Sequence, residues 1–178
     1  TREGRCTQRA SIWSTQWPPI SLAYLAAVVH EAGHTPRVWD CPAQGIDGEG
    51  LLRRLKTVRP GLVLLAASTP SFEHDMRLAA RIKEALPRAR LGLFGVHATV
   101  MDREILDAHV YIDLVVRGEP EGPVGALLSQ DDDLSGAAGI TWRDPDGEVV
   151  RNPDHPFIDD LDRLPFPRWE ALELERYR

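Results

Sequence analysis

The side chains able to do chemistry in this sequence are few, and they stand where apolar runs stop. In Leu91–Thr99 (LGLFGVHAT), the apolar residues Leu91, Leu93 and Phe94 lead into Gly95, and His97 and Thr99 follow. A glycine there has two readings: it makes a tight strand-to-helix turn, or its missing Cβ lets a flat or bulky ligand approach the backbone. Leu62–Ala67 (LVLLAA) stops at Ser68-Thr69-Pro70-Ser71, Ile112–Val116 (IDLVV) at Arg117-Gly118-Glu119, and Arg37–Asp40 (RVWD) at Asp40, Cys41 and Pro42. No nucleophile signature joins Ser68 or Ser71 to a histidine. Gly92-x-x-Gly95 is not a dinucleotide fingerprint, and no Gly-rich loop ends in Lys-Ser/Thr, so a phosphate cradle is unsupported. Cys6 and Cys41 are too few for a disulfide framework or a metal cage.

The elements that must position these turns alternate in kind. Ile20–His34 carries Leu22, Leu25, Val29 and Ala32 at helical steps, with Pro19 suited to its first turn and Gly33 to the residue past its end. A short strand is expected at Arg37–Asp40, a loop at Ala43–Gly50 and a second helix at about Gly50–Val58, stopped by Pro60-Gly61. Leu62–Ala67 is continuously apolar, as a central parallel strand covered on both faces must be. A helix over Phe72–Leu86 follows, with Phe72, Met76, Ala79, Ile82 and Leu86 inward. Then come the Leu91–Gly95 strand, a short helix near Arg103–Ala108, the strand Ile112–Val116 and a helix from Val124 to Leu128.

This alternation predicts an α/β domain with a mostly parallel sheet and right-handed crossovers. The four polar turns then share the rim at the strands' carboxyl ends, where ligands sit in open sheets. Beyond it, Gly139–Arg143 and Glu148–Arg151 flank Asp144-Pro145-Asp146-Gly147, a hairpin signal. Asp159-Asp160-Leu161-Asp162 and Pro165-Phe166-Pro167 read as extended linker. The expected organisation is an α/β domain over 1–135, a hairpin appendage over 136–156 and a linker over 157–178.

Composition bounds the function. The 178 residues suit one domain with a real core, and the net charge of −6 with both signs interspersed offers no nucleic-acid footprint. The longest apolar run, Leu22–Val29, falls far short of a bilayer span. No signal peptide is evident, and the two cysteines suit a reduced, cytoplasmic protein.

Six segments in this order, WPPISLAYLAAVVHEAGH, STPSFEHD, FGVHAT, DLVVRGEPE, GITWRDPDG and DDLDRLPFP, cover nearly the whole chain. Together it resembles the amino-terminal cobalamin-binding domain of cobalamin-dependent radical S-adenosylmethionine (SAM) enzymes, in the group of magnesium-protoporphyrin cyclase-like enzymes and radical methylases. The resemblance implies a flavodoxin-like, doubly wound (Rossmann-like) parallel sheet with the corrin over the carboxyl rim and the dimethylbenzimidazole tail threaded into the sheet region. By position it assigns Ser68, Thr69 and Pro70 to the turn meeting the tail and corrin amides, Gly95, Val96 and His97 to the next turn, and Gly118 and Glu119 to the one after. Trp17, Pro18, Asp40 and Cys41 lie at the same rim.

The D-x-H-x-x-G string of the methionine-synthase type of cobalamin domain, whose histidine coordinates cobalt, is absent, and Gly95-Val96 stands where many relatives have Gly-Gly. His97 is then the nearby cobalt-ligand candidate; its alternative is a hydrogen-bond donor or helix-start residue. His30, His34, His74, His109 and His155 read as surface or capping residues, and Cys41 as buried packing. C-x-x-x-C-x-x-C, which would hold a four-iron cluster and SAM, is also absent, so the implied [4Fe-4S] cluster, SAM and the radical SAM barrel belong downstream. The implied whole is a methyltransferase acting on a small-molecule substrate that the sequence does not identify. Two alternatives are a scaffold that has lost cobalamin and a non-enzymatic cobalamin carrier or sensor. The chain is further expected to continue past Arg178. The first strand is expected upstream of Thr1, with Thr1–Gln16 a loop over the rim; the alternative is a short strand at Ala10–Thr15.

Overall fold

The computed structural model describes residues 17–177. The expectations for Thr1–Gln16 and Ala10–Thr15 therefore lie outside the described residues. Helix α1 (Ile20–Glu31) starts at Pro19 and ends at Ala32 and Gly33, whose φ of +83° lets the chain leave the helix. Helices α2 (Cys41–Gln44) and α3 (Gly48–Val58) follow, then β1 (Leu62–Ala66), α4 (Phe72–Ala85) and β2 (Arg90–Phe94). Next come α5 (Val96–Val100), α6 (Asp102–Ala108), β3 (Leu114–Val116), α7 (Glu121–Leu128) and the hairpin β4 (Ile140–Arg143) and β5 (Val149–Arg151).

The sheet runs β1-β2-β3-β4-β5, with β1, β2 and β3 parallel and the last two pairs antiparallel. The hairpin therefore continues the main sheet. Successive strand residues point to opposite faces, and two cores result. On one face Leu91, Leu93 and Val115 pack with Leu51 and Leu55 of α3, Met76, Ala79 and Ile82 of α4, and Ile105 and Leu106 of α6. On the other face Phe94, Leu114 and Val116 pack with Leu25 of α1, Val124 and Leu127 of α7, and Trp142 of β4. The result is three layers with the sheet in the middle, as the doubly wound reading requires.

Two local expectations are corrected. Arg37–Asp40 forms no strand and joins no ladder among the described residues. Ala43–Gly50 is not loop throughout: Asp40 caps α2 through Ala43 N, and the Asp47 carboxylate accepts from Gly50 N at 2.7 Å to start α3 two residues early. Asp at an N-cap outweighs the loop preference of the glycines around it.

Candidate functional site

The rim is built from three turns that hydrogen-bond to one another. The first follows β1. Ala67 N donates to Phe94 O at 2.8 Å, closing the last rung between β1 and β2, and Ser68 to Ser71 then turn into α4. Ser71 Oγ donates to Asp75 Oδ2 at 2.6 Å and lies 2.8 Å from Ser68 Oγ. A hydroxyl has one proton, so with Ser71 donating to the carboxylate, Ser68 is the donor to Ser71. The relay ends on a buried carboxylate. Burial pushes the Asp75 pKa up, and the Ser71 hydrogen bond partly offsets this.

The second turn holds Gly95, at φ +111°. A Cβ there would lie 2.7 Å from the carbonyl oxygen of Ala67, so the glycine is required by the neighbouring backbone. The tight-turn reading of Gly95 thus has its reason within the fold. The close approach is that of the β1 exit itself. Val96 next to it is 83% exposed, an apolar side chain presented to the space above the rim. His97 Nδ1 lies 3.0 Å from Thr69 Oγ1, and its ring lies tilted against Phe72 with centroids 4.3 Å apart. Thr99 Oγ1 donates to Gly95 O and accepts from Gly118 N, both at 3.0 Å.

Gly118, in the third turn, has φ +72° with nothing within 4 Å of a Cβ built on it. Unlike Gly95, it borders open space. Arg117 anchors this turn from beneath. It is 3% exposed and donates to Asn152 O at 2.7 Å, Asp154 Oδ1 at 2.8 Å and Thr141 Oγ1, with Asp102 Oδ2 3.7 Å from its Nε. Those guanidinium bonds hold the Asp154 carboxyl below its usual range.

The structure thus brings together Ser68, Thr69, Gly95, Val96, His97 and Gly118. Pro70 is exposed within the first turn, and Glu119 is exposed beside Gly118. Trp17 is 81% exposed and Pro18 half-buried; neither forms a side-chain hydrogen bond to these turns among the described residues. Asp40 and Cys41 lie at the start of α2, and Cys41 lines a long cleft that also reaches Ser71 and Asp75. Asp40 is buried and accepts from Tyr177 Oη at 2.9 Å. Burial pushes the half-buried Cys41 thiol up, which keeps it a neutral packing group. His109 caps the end of α6 and lies between Phe72 and Tyr111, and the half-buried His155 ring lies over Gly122, in keeping with the surface or capping roles expected of both.

Sequence reading missed Asp75, Thr99 and Arg117. Two had a signal: Asp75 stands four residues after Ser71 and Thr99 four after Gly95, one helical turn apart. The depth of Arg117 had none.

Comparison with known proteins agrees with this architecture. The description of the B12 binding domain family matches residues 13–128, and the chain belongs to that family. It is 33% identical over 168 residues to the anaerobic magnesium-protoporphyrin IX monomethyl ester cyclase of Rubrivivax gelatinosus, covering 90% of this chain and 30% of that protein. It is 28% identical over 167 residues to an uncharacterized methyltransferase of Pyrococcus horikoshii, covering 92% of this chain and 36% of that one. The chain thus spans about a third of the length of these curated relatives. The structure of the cobalamin-dependent S-adenosylmethionine radical enzyme OxsB with aqua-cobalamin and S-adenosylmethionine bound superposes with a TM-score of 0.72 at 14% identity, over 85% of this chain and 21% of that one. The fold is the flavodoxin-like one of cobalamin-binding domains. No helix among the described residues is long and apolar enough to cross a membrane, and no group of three or more His, Cys, Asp or Glu side chains there could hold a metal ion.

Proposed function

We propose that this chain is the cobalamin-holding part of a cobalamin-dependent radical SAM enzyme acting on a small-molecule substrate, in a methyl transfer or a related radical reaction. The SAM, the [4Fe-4S] cluster and the substrate site belong to the remainder of the full-length protein, and the cytoplasm is the compartment that suits it. The observation carrying the reading is the rim: hydroxyls, an open glycine and an exposed apolar residue joined in one hydrogen-bonded frame above a deep cleft.

That combination fits a corrin. The macrocycle is an apolar disc fringed with amides, so its holder needs apolar contact beside a few fixed polar groups. Val96 and Trp17 offer the first. Ser68 and Thr69 offer the second, and Gly118, with no neighbour over its α-carbon, leaves room for the disc. Pro18, Pro70, Glu119, Asp40 and Cys41 complete the proposed surroundings. Bound cobalamin would supply a cobalt able to carry a methyl group. This chain's residues orient it: Asp75 fixes the Ser71 and Ser68 hydroxyls, and Thr99 holds two turns in register. His97 has one ring nitrogen beside Thr69 and its ring tilted against Phe72, which favours the hydrogen-bonding, helix-start role over cobalt ligation.

The test is retention of hydroxocobalamin by the full-length polypeptide through gel filtration, followed by corrin absorbance. One corrin per chain is expected. Val96→Glu, at an exposed position where substitutions shift stability by only about ±0.5 kcal/mol, should leave the melting midpoint in place and weaken retention at least tenfold. Absence of corrin from the protein peak would favour the cobalamin-free scaffold.

A further inference from the structure

We infer that Asp75 sets whether Ser68 donates or accepts a hydrogen bond, so that a corrin presenting an acceptor atom to Ser68 is bound together with a proton, taken from solvent onto the Asp75 carboxylate. The inference rests on the cobalamin reading and deepens it. It makes Asp75 a positioning residue that acts through two hydroxyls.

Three side chains share too few protons to serve both ends of their chain of hydrogen bonds. Ser71 Oγ lies 2.6 Å from Asp75 Oδ2 and 2.8 Å from Ser68 Oγ, and the other acceptor within its reach, Ser68 O, is 3.3 Å away. Each hydroxyl has one proton to give. With the carboxylate ionised, Ser71 donates to Asp75 and Ser68 donates to Ser71. Ser68 then has only lone pairs left for a ligand, and accepts from an N–H. With Asp75 neutral, every bond reverses. Asp75 Oδ2 donates to Ser71, Ser71 donates to Ser68, and the Ser68 proton is free for an acceptor at the rim.

The surroundings favour the reversal. Ser71 and Asp75 are buried, whereas Ser68 is half-buried where the rim opens. Burial raises the Asp75 pKa, opposed by the Ser71 hydrogen bond and by His74 beside it on α4, and no Lys or Arg acts on it. His34 and Arg37 before α2, Cys41 of α2, Asp47 at the start of α3 and Arg77 of α4 line the same cleft, and among the described residues none bonds to Asp75. A buried carboxyl without a cationic partner takes a proton more readily than a paired one. A corrin brings acceptors of two kinds: the amide carbonyls of its fringe and the unprotonated ring nitrogen of its nucleotide tail.

Calorimetric titration of the full-length polypeptide with hydroxocobalamin at pH 7, in buffers of differing ionisation enthalpy, counts the protons taken up per corrin. Wild type is expected to take up about one proton more than Asp75→Asn, and to gain about tenfold in affinity over that variant for each unit fall in pH. Ser68→Ala separates this exchange from a simple covering of Asp75 by the ligand. It keeps the Ser71–Asp75 bond, and should bind about tenfold more weakly with the extra uptake lost. Uptake by wild type no greater than by Asp75→Asn would overturn the inference, because Ser68 would then have turned its own proton outward. Uptake undiminished in Ser68→Ala would overturn it too. Failure of wild type to bind any corrin would overturn the cobalamin reading, and this inference with it. Cobinamide, the same corrin without the nucleotide tail, identifies the acceptor: uptake retained marks an amide carbonyl, and uptake lost marks the ring nitrogen of the tail.

Discussion

Gly95 and Val96 are neighbours with opposite duties. Gly95 is dictated from inside the fold by its φ of +111° and the Ala67 carbonyl 2.7 Å from where a Cβ would stand. Gly95→Ala should therefore destabilise by at least ~2 kcal/mol, from backbone strain plus the clash. It follows that loss of cobalamin in a Gly95 variant would report unfolding. A denaturant midpoint unchanged from wild type would contradict this account. Sequence alone marked Gly95 as special and left open why, because a tight turn and a ligand's approach call for the same missing Cβ.

Asp75 makes a prediction of pH dependence. Its pKa is raised in the fold, chiefly by burial. A carboxyl with a raised folded pKa binds its proton more readily folded than unfolded, so stability declines as pH rises from the unfolded value through the folded one. Asp75→Asn removes the ionisation but keeps an oxygen to accept from Ser71. The variant should be at least as stable as wild type at pH 7 and lack that part of the decline; urea midpoints across pH 4 to 8 would show it. A midpoint at pH 7 well below wild type would mean the carboxylate is favourable where it stands.

At the scale of elements, the junction between the parallel strands and the hairpin rests on Arg117. Residues from β4, β5 and α6 converge on it: Thr141, the stretch just beyond Arg151, and Asp102, which also accepts from Arg151 Nε at 2.9 Å. Removing one member of a buried ion pair costs about 3–5 kcal/mol, because the other charge stays buried. Arg117→Met should fall in that range in chemical denaturation, and adding Asp102→Asn should recover part of the loss, since groups in one network are non-additive. Strictly additive losses would show that the two residues do not act together. Pattern reading located the hairpin through Asp146-Gly147 and the alternation around it, but periodicity names no partners. That β4 joins β3 is decided by Ile140 and Trp142 packing into the same core as Leu114 and Val116. The failure at Arg37–Asp40 has the same origin: strand propensity is local, while a ladder needs a neighbour.

Across the whole molecule, the carboxyl-terminal segment is tied to the amino-terminal helices. After Pro165-Phe166-Pro167, the carboxyl-terminal segment turns back over α1 and α2. Arg168 N donates to Ala23 O at 3.0 Å, Gln44 Nε2 to Glu173 Oε1 at 3.0 Å, and Tyr177 Oη to Asp40 Oδ2 at 2.9 Å, with Leu172 buried between. The composition of 157–178 reads as linker because it is rich in proline and acid; its docking depends on Asp40, 137 positions away in sequence from Tyr177. Burial first, and then the Asp40 carboxylate, raise the Tyr177 pKa. A raised folded pKa means the bond's contribution is full below the phenol's ordinary value and is lost as pH climbs through the raised one. Tyr177→Phe deletes the donor and leaves Asp40 short of one partner, a loss of about 1 kcal/mol that falls on the docking of this segment. Limited proteolysis between Leu161 and Arg168 should accelerate about fivefold at neutral pH while the global melting midpoint holds. Equal cutting at neutral pH would show that Leu172 and the backbone bonds dock the segment unaided.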